Sequence, residues 1–588
     1  MSLLAQSRIV PGSSESRSDS SRFLTVRLLL TIADLAETHA WLFFTAICLG
    51  CGWGRMRSLS TRHLDHDEIF TFYIAQAPTL RQLFELTHTV DLHPPLSYLL
   101  VRGSFAIFGV SSWSCRLPFL LSYLVATALL FYLLSRLSSP LYGLIGTLFL
   151  WSTPSARLAG EARPYAMLLC FTSLMLVSWH QGVEGEPPRR RRWALALLAA
   201  GGFGLLLSHV LGVLAFAAFI GAELIRLWIC RKPDWHLWIA LLAPVICVLT
   251  YLPLIRTHST MQFADEYHVT PLRIVSFYWE SIRYVVTPLV LIALLALLWP
   301  VFRKPTSAPS TANLHSIRVP FAFLLAALSL VPLAIGILFA RTSTAFFDRY
   351  GVVWLVPFAV VPAIALAHYT QRDRLAAAAT ALFVAVILFF NTSGKAWVVE
   401  QVSNLAPARA ASKVLYVLSL PPIMPPSYPP IPSYLQAALD TAPSVSHLDT
   451  IAPQLPVVAN TGLTFMELDR EESAQVAQRL YMLTDEVAAS TIAHDTVFAH
   501  YERVVAAFPI RGKIDDYCTF VSAHPRFVVV GAYNNPQGWL LRKLDQDGAE
   551  LHLVGICQGY SEECQIYEVS VGRGECQKPA RDFTTSIR

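Results

Sequence analysis

Apolar runs roughly as long as a bilayer is thick, about 20 residues, recur through the first two thirds of this chain, parted by short polar joints. Membrane spans are expected near 38–54, 117–135, 141–157, 164–180, 193–207, 209–228, 237–255, 284–300, 319–340, 351–368 and 375–391. The segment "LSYLLVRGSFAIFG" (Leu96–Gly109) is short and carries Arg102 at its middle, which suits an amphipathic helix lying flat at the interface. Leaving it out gives eleven spans. One side then receives Arg136, Arg189, Arg190, Arg191 and Arg192, Arg231 with Lys232, Arg303 with Lys304, Arg372 with Arg374, and Arg17, Arg22 and Arg27 of the amino end. Dense basic clusters stay in the cytoplasm, so the amino end is expected inside and the carboxyl end outside. Counting Leu96–Gly109 as a span would move every later loop to the wrong side.

Composition agrees with this pattern and narrows the class. Of 588 residues, 54% are hydrophobic and only 14% charged, which is outside the soluble range and points to a polytopic α-helical membrane protein. The net charge of +5 gives no case for nucleic-acid binding. Residues 1–36 read as a cytoplasmic segment, disordered around "GSSESRSDSS" (Gly12–Ser21), and residues 1–22 lack the apolar core of a cleavable signal peptide. Residues 37–392 form the membrane part. From Ser393 the chain turns polar, and "LSLPPIMPPSYPPIPSY" (Leu418–Tyr434) is too dense in proline for a helix or inner strand. Beyond it "LPVVAN" (Leu455–Asn460), "RFVVVGAY" (Arg526–Tyr533), "LHLVGI" (Leu551–Ile556) and "QIYEVSV" (Gln565–Val571) read as strands, and Arg470–Leu483 as a helix. Residues 393–588 are thus expected to be an extracytoplasmic α/β domain that recognises acceptor or covers the site. Its Cys518, Cys557, Cys564 and Cys576 suggest one or two disulfides there, whereas Cys48, Cys51, Cys115, Cys170, Cys230 and Cys247 read as small buried hydrophobes.

The candidate chemistry lies in the external joints. "HLDHDEIFTFYIA" (His63–Ala75) packs Asp65, Asp67 and Glu68 into four positions after the first span. "RLAGEARPYA" (Arg157–Ala166) brings Glu161 and Arg163 to the same face, and "FFDRYG" (Phe346–Gly351) brings Asp348 and Arg349. Carboxylates and arginines converging at a bilayer boundary are expensive and mark a functional site by default. A solvated loop is the plainer reading of any one of them.

Taken together, the Asp-Glu pair after the first span, "HPPL" (His93–Leu96), "EARPYA" after the third span and a late "RY" resemble the GT-C membrane glycosyltransferases, above all families 39 and 83. Those families include protein O-mannosyltransferases and lipid A aminoarabinose transferases. The resemblance covers the membrane part, about residues 37–392, and implies inverting transfer of a sugar from a polyprenyl-phosphate donor to a glycolipid, polysaccharide or protein hydroxyl at the external face. The first acid of the pair is then the base, which by position is Asp67. A hydroxyl acceptor must lose its proton as it attacks, so a carboxylate within hydrogen-bond reach is needed. The departing lipid phosphate gathers charge, for which the planar fork of arginine is suited. Catalytic roles are therefore expected for Asp67, Glu68 and Glu161. Donor binding is expected for Arg163, Arg349 and His93, and for Tyr165 and Tyr350, which also read as belt aromatics.

Plainer roles compete for several of these residues. Glu161 pairs readily with Arg163, His93 can merely shape the turn before Pro94 and Pro95, and Arg349 can anchor at the interface. Asp65 suits solvent or loop support, and His209 reads as a helix-end histidine rather than a ligand. The sequon at Asn391 sits too close to a span for use. No ligand set for a divalent cation stands out, so no metal or other cofactor is expected. A transporter or flippase of lipid-linked sugars would place charges near the midplane in repeated halves, and no repeat is visible. An inactive relative kept as a scaffold would not need the intact acid pair.

Overall fold

The computed structural model describes mainly residues 30–389 and 429–572, with short interruptions inside both, the longest at 299–314. Helices stand at the expected spans; the one near 284–300 falls partly outside the described residues, and its described residues are helical. Among the described residues four helices are long and apolar enough to cross a membrane: Ser112–Leu137, Tyr165–Val183, Gly212–Cys230 and Asp348–Tyr369. The count reaches six when the bent pairs Leu30–Thr38 with Ala40–Met56 and Ile317–Ser329 with Val331–Thr342 are each taken as one span. Other expected spans are shorter, such as Pro140–Ser152, whose α-helix gives way at Pro154 to the 3-10 turn Pro154–Gly160. The protein is multi-pass, with fewer full-length spans among the described residues than the eleven expected.

Leu96–Phe108 is a helix, and it is held by packing. Its Ser97, Tyr98, Val101, Ser104 and Phe105 are buried on one face, at the three-and-four spacing of an amphipathic helix. Arg102 is fully accounted for: its Nη1 donates to the carbonyls of Ala75 and Ala77. Those groups end the helix His66–Ala75, where orphan carbonyls welcome a cation.

The bundle has two distinct ends. Ser112–Leu137 starts beside the acidic joint, where Arg116 meets Glu68, and finishes roughly 30 Å away at 1.5 Å per residue. At that far end Arg372 donates to the Leu137 carbonyl at 2.9 Å, and the Tyr142 and Thr370 hydroxyls share a hydrogen bond of 2.7 Å. The basic joints at 136 and 372 thus lie at the opposite end from Asp67.

Among the described residues the polar tail builds one seven-stranded sheet: β1 (Ser444–Val445), β2 (Val457–Ala459), β3 (Leu480–Thr484), β4 (Lys513–Asp516), β5 (Arg526–Val530), β6 (Glu550–Cys557) and β7 (Cys564–Ser570). Their order is β1-β6-β7-β5-β2-β3-β4, with β7 antiparallel to both of its neighbours and the other pairs parallel. The strands expected from sequence fall at β2, β5, β6 and β7. The helix expected over Arg470–Leu483 is a correction: Gly462–Glu471 and Ala474–Gln478 are helical, and Leu480–Thr484 is a strand. Pairing on both sides, with β2 and β4, outweighs the helix-favouring residues just before it. The proline-rich segment from Leu418 lies largely outside the described residues, as does Cys576.

Cys557 and Cys564 face each other in the β6–β7 hairpin, with Cα atoms 5.1 Å apart, and are disulfide-bonded; Cys518 is disulfide-bonded as well. The six cysteines of the apolar segments are free. Non-reducing peptide mapping is expected to return the 557–564 link. Free thiols at both positions would remove the covalent staple from the hairpin.

The tail packs onto the membrane part rather than hanging from it. Helix Gly462–Glu471 lies against His66–Ala75, and Phe70 meets Phe508 with ring centroids 5.6 Å apart. Arg470 sits 4.0 Å above the ring of Phe72, and one continuous apolar core runs from the bundle into this face of the tail.

Candidate active site

"HLDHDE" folds into a helix start rather than an open loop. Asp65 is the N-cap with extended backbone, and Glu68, three residues on, accepts the Asp65 N–H at 2.9 Å. An acid reaching back in this way satisfies a donor the helix leaves orphaned. Glu68 is itself 1% exposed and Arg116 fully buried. The guanidinium grips both carboxylate oxygens, with Nε to Oε1 at 2.7 Å. The Ala162 N–H adds a bond of 2.7 Å to Oε1, and Arg116 Nη2 donates to the His63 carbonyl at 2.8 Å. Glu68 thus ties three segments together. Glu68, expected from the sequence to be catalytic, is here enclosed and held by a buried cation.

Asp67, one residue earlier on the same turn, faces the opposite way. Its Oδ2 lies 2.7 Å from Arg349 Nη2 and 3.8 Å from Arg163 Nε, and its Oδ1 lies 3.2 Å from His66 Nδ1. Burial alone would push this carboxyl up, but Arg349, Arg163 and His66 together hold it well below the usual range. The Asp67 side chain remains 24% exposed.

A second acid, Asp91, joins it and was missed in the sequence. Arg163 Nη1 donates to Asp91 Oδ2 at 2.8 Å and to the Asp67 carbonyl at 3.0 Å. Asp91 Oδ2 also accepts the Tyr98 hydroxyl at 2.6 Å, and its own carbonyl accepts His93 Nδ1 at 2.6 Å. Burial opposes ionisation here too, and Arg163 and His93 keep the pKa low. The signal was an acid two residues ahead of "HPPL" in an external joint. Arg163, expected to meet the donor, is 5% exposed; its Nη1 makes both of these bonds and braces the two aspartates, while its buried Nε makes no hydrogen bond among the described residues.

The remaining groups form a wall around this centre. Arg349 is 30% exposed in its side chain, with its guanidinium carbon 4.9 Å from the Phe347 ring centre and 5.7 Å from that of Tyr165. The turn that carries it, Asp348–Trp354, packs close because Gly351 has no side chain; a Cβ there would fall 2.2 Å from Phe277 Cζ. Tyr165 and Tyr350 lie 6.2 Å apart, and His209 joins them at 5.5 and 5.9 Å. His209 does follow a helix end, as expected, but it also faces His93 at 4.9 Å. Its Nδ1 accepts the Leu211 N–H at 3.1 Å, while its buried Nε2 has no hydrogen-bond partner among the described residues. Burial, then His93, Arg163 and Arg349, keep the ring neutral, so Nε2 carries the proton and is a donor.

Glu161 is not brought to this centre. Expected to be catalytic, it ends the turn Pro154–Gly160 and faces back to Arg157 at 3.8 Å. Among the described residues no three His, Cys, Asp or Glu side chains are grouped to hold a metal ion.

Paired aspartates, an accessible arginine and aromatic walls at one end of an apolar helical bundle mark a candidate functional site at the boundary of a multi-pass membrane protein. Residues 92–253 match the family described as dolichyl-phosphate-mannose-protein mannosyltransferase, and the glycosyltransferase resemblance read from the motifs holds for that segment. No curated protein matches the chain. Similar solved structures include ArnT from Cupriavidus metallidurans bound to undecaprenyl phosphate, at 15% identity and a TM-score of 0.47, covering 90% of this chain and 98% of that one. The apo state of the same protein gives 15% identity and 0.46, covering 91% and 98%.

Proposed function

We propose that the protein is an inverting glycosyltransferase of the membrane surface, moving a sugar from a polyprenyl-phosphate carrier to a hydroxyl acceptor with Asp67 as base. The observation that carries this reading is the pair formed by Asp67 and Arg349. Both are accessible, and each is the partner the other needs until substrate arrives. A donor phosphate diester entering between Tyr165, Tyr350 and His209 competes for Arg349, because arginine binds phosphate oxygens in pairs. Oδ2 of Asp67 is then released to accept the acceptor's proton. The acceptor oxygen attacks the anomeric carbon, the bond from that carbon to the phosphate oxygen breaks, and its electron pair leaves with the lipid phosphate. Arg349 and the Nε2–H of His209 stabilise the added charge. The basic joints at the opposite end support a reading with this end outside the cytoplasm, in a bacterium the periplasmic face of the inner membrane. A transporter fits less well, because the acids gather at one end of the bundle instead of at its middle.

Lipid mass spectrometry tests this in cells of the source organism. Cells making only Asp67→Asn are expected to accumulate a polyprenyl-phosphate-linked sugar that cells with the natural protein consume. Equal levels in both would overturn the reading.

The pH dependence follows from the same pair. The carboxyl of Asp67 faces Arg349, Arg163 and His66, with Tyr165, Asp91, Glu467 and Tyr501 around them. The acid limb of kcat/KM reports the free enzyme and is expected below the ordinary aspartate value of about 3.9. Arg349→Ala removes the nearest cation, so the carboxyl's pKa rises and the limb moves to higher pH by about one unit or more. The same variant should lose about a hundredfold in turnover, and Arg349→Lys, which keeps charge without the fork, should lose less. An unmoved limb in Arg349→Ala would show that another group titrates.

A further inference from the structure

Deep in the tail, 435 positions from His66 along the chain, Tyr501 places its hydroxyl 2.8 Å from His66 Nε2. The other nitrogen of that ring lies 3.2 Å from Asp67 Oδ1. Tyr501 is 4% exposed, and its setting is built for the contact. Its ring packs edge-on against Phe498 at 5.4 Å, and Gly462 leaves the space it occupies, since a Cβ there would fall 2.9 Å from Tyr501 Cζ. The His66 backbone is pinned from the same side, donating to Glu467 Oε1 at 3.2 Å.

The protons in this chain can be assigned. Burial, then the charges of Asp67, Asp91 and Glu467, push the Tyr501 phenol well above its ordinary value, so it keeps its proton. When the ring of His66 is neutral it carries one N–H. If it sat on Nε2, the Nδ1 lone pair would face the Asp67 carboxylate. With Tyr501 donating to Nε2, the ring proton stays on Nδ1 and is donated to Oδ1. That arrangement satisfies every partner.

We propose that Tyr501 is a positioning residue of the transfer reaction: by fixing the tautomer of His66 it holds Asp67 Oδ1, so that Oδ2 alone points at the acceptor. The inference rests on Asp67 being the base, and makes the tail domain a part of the active site rather than a cover for it. No proton leaves Tyr501 or His66 in the reaction. The acceptor's proton goes to Asp67 Oδ2, and the electron pair of the broken sugar–phosphate bond goes to the phosphate. A base whose partner histidine adopts the wrong tautomer loses much of its efficiency even with its geometry intact.

The test uses the full-length protein, with lipid extract from Asp67→Asn cells as donor and release of polyprenyl phosphate as readout. Tyr501→Phe keeps the ring and removes only the hydroxyl. It is expected to lower kcat at least about tenfold with KM for the donor unchanged. His66→Asn supplies a fixed N–H in place of Nδ1 and has no tautomer to set. In that background Tyr501→Phe should change kcat by less than about twofold, because coupled residues are not additive. Equal losses in both backgrounds, or no loss in either, would overturn the proposal. Failure of the base assignment shows separately, as transfer by Asp67→Asn itself.

Discussion

Asp67→Asn is expected to lower sugar transfer at least about a hundredfold while leaving the protein folded. General-base catalysis contributes about 10²–10⁴-fold, and the amide keeps the shape of the carboxylate while losing its affinity for a proton. The turn that carries residue 67 is fastened by Glu68 and by the N-cap at Asp65, not by Asp67, so the fold survives. Steady-state release of polyprenyl phosphate, alongside gel-filtration profiles, checks both parts. Asp91 has Oδ2 occupied by both Arg163 and Tyr98 and is 9% exposed in its side chain, so Asp91→Asn should also impair transfer, but through a displaced Arg163 and with lost stability. A loss in Asp65→Asn as large as that in Asp67→Asn would indicate that the wrong acid has been chosen.

Arg116→Ala should have the largest effect on stability. It leaves the carboxylate of Glu68 enclosed with no cation, and removing one partner of a buried ion pair costs about 3–5 kcal/mol. That is a large share of the roughly 5–15 kcal/mol that holds a typical domain together. Glu68→Gln strands the opposite charge and should be destabilising for the same reason. Thermal melting in detergent measures both. Normal melting of Glu68→Gln with transfer abolished would return Glu68 to the chemistry.

The helical membrane part was legible because a bilayer demands long apolar runs; the one-sided arginines carry only its proposed orientation. Where spans bend or shorten, as at Ser329–Val331 and after Ser152, the local signal is a proline, Pro332 or Pro154, just past the break. The acid pair was also legible, but not the division of labour inside it. Adjacent residues on a helix start face different ways, and the D-x-x-E capping pattern of Asp65 and Glu68 was the clue that the second acid belongs to the framework. Asp91 and His209 escaped because each reads alone as an ordinary loop or helix-end residue; only their meeting with Arg163 and His93 gives them meaning. Tyr501 had no local signal at all. Its partner is brought to it by the docking of one fold unit on another, which no short pattern encodes.

The stereochemistry of transfer tests the central claim most directly. One displacement, with Asp67 taking the acceptor's proton as the lipid phosphate leaves, must invert the anomeric carbon. The donor recovered from Asp67→Asn cells and the product formed by the natural protein would be compared by proton NMR at the anomeric position. Opposite configurations are predicted. Retention would require a covalent sugar–enzyme intermediate and would contradict the assignment of Asp67 as base in a single step.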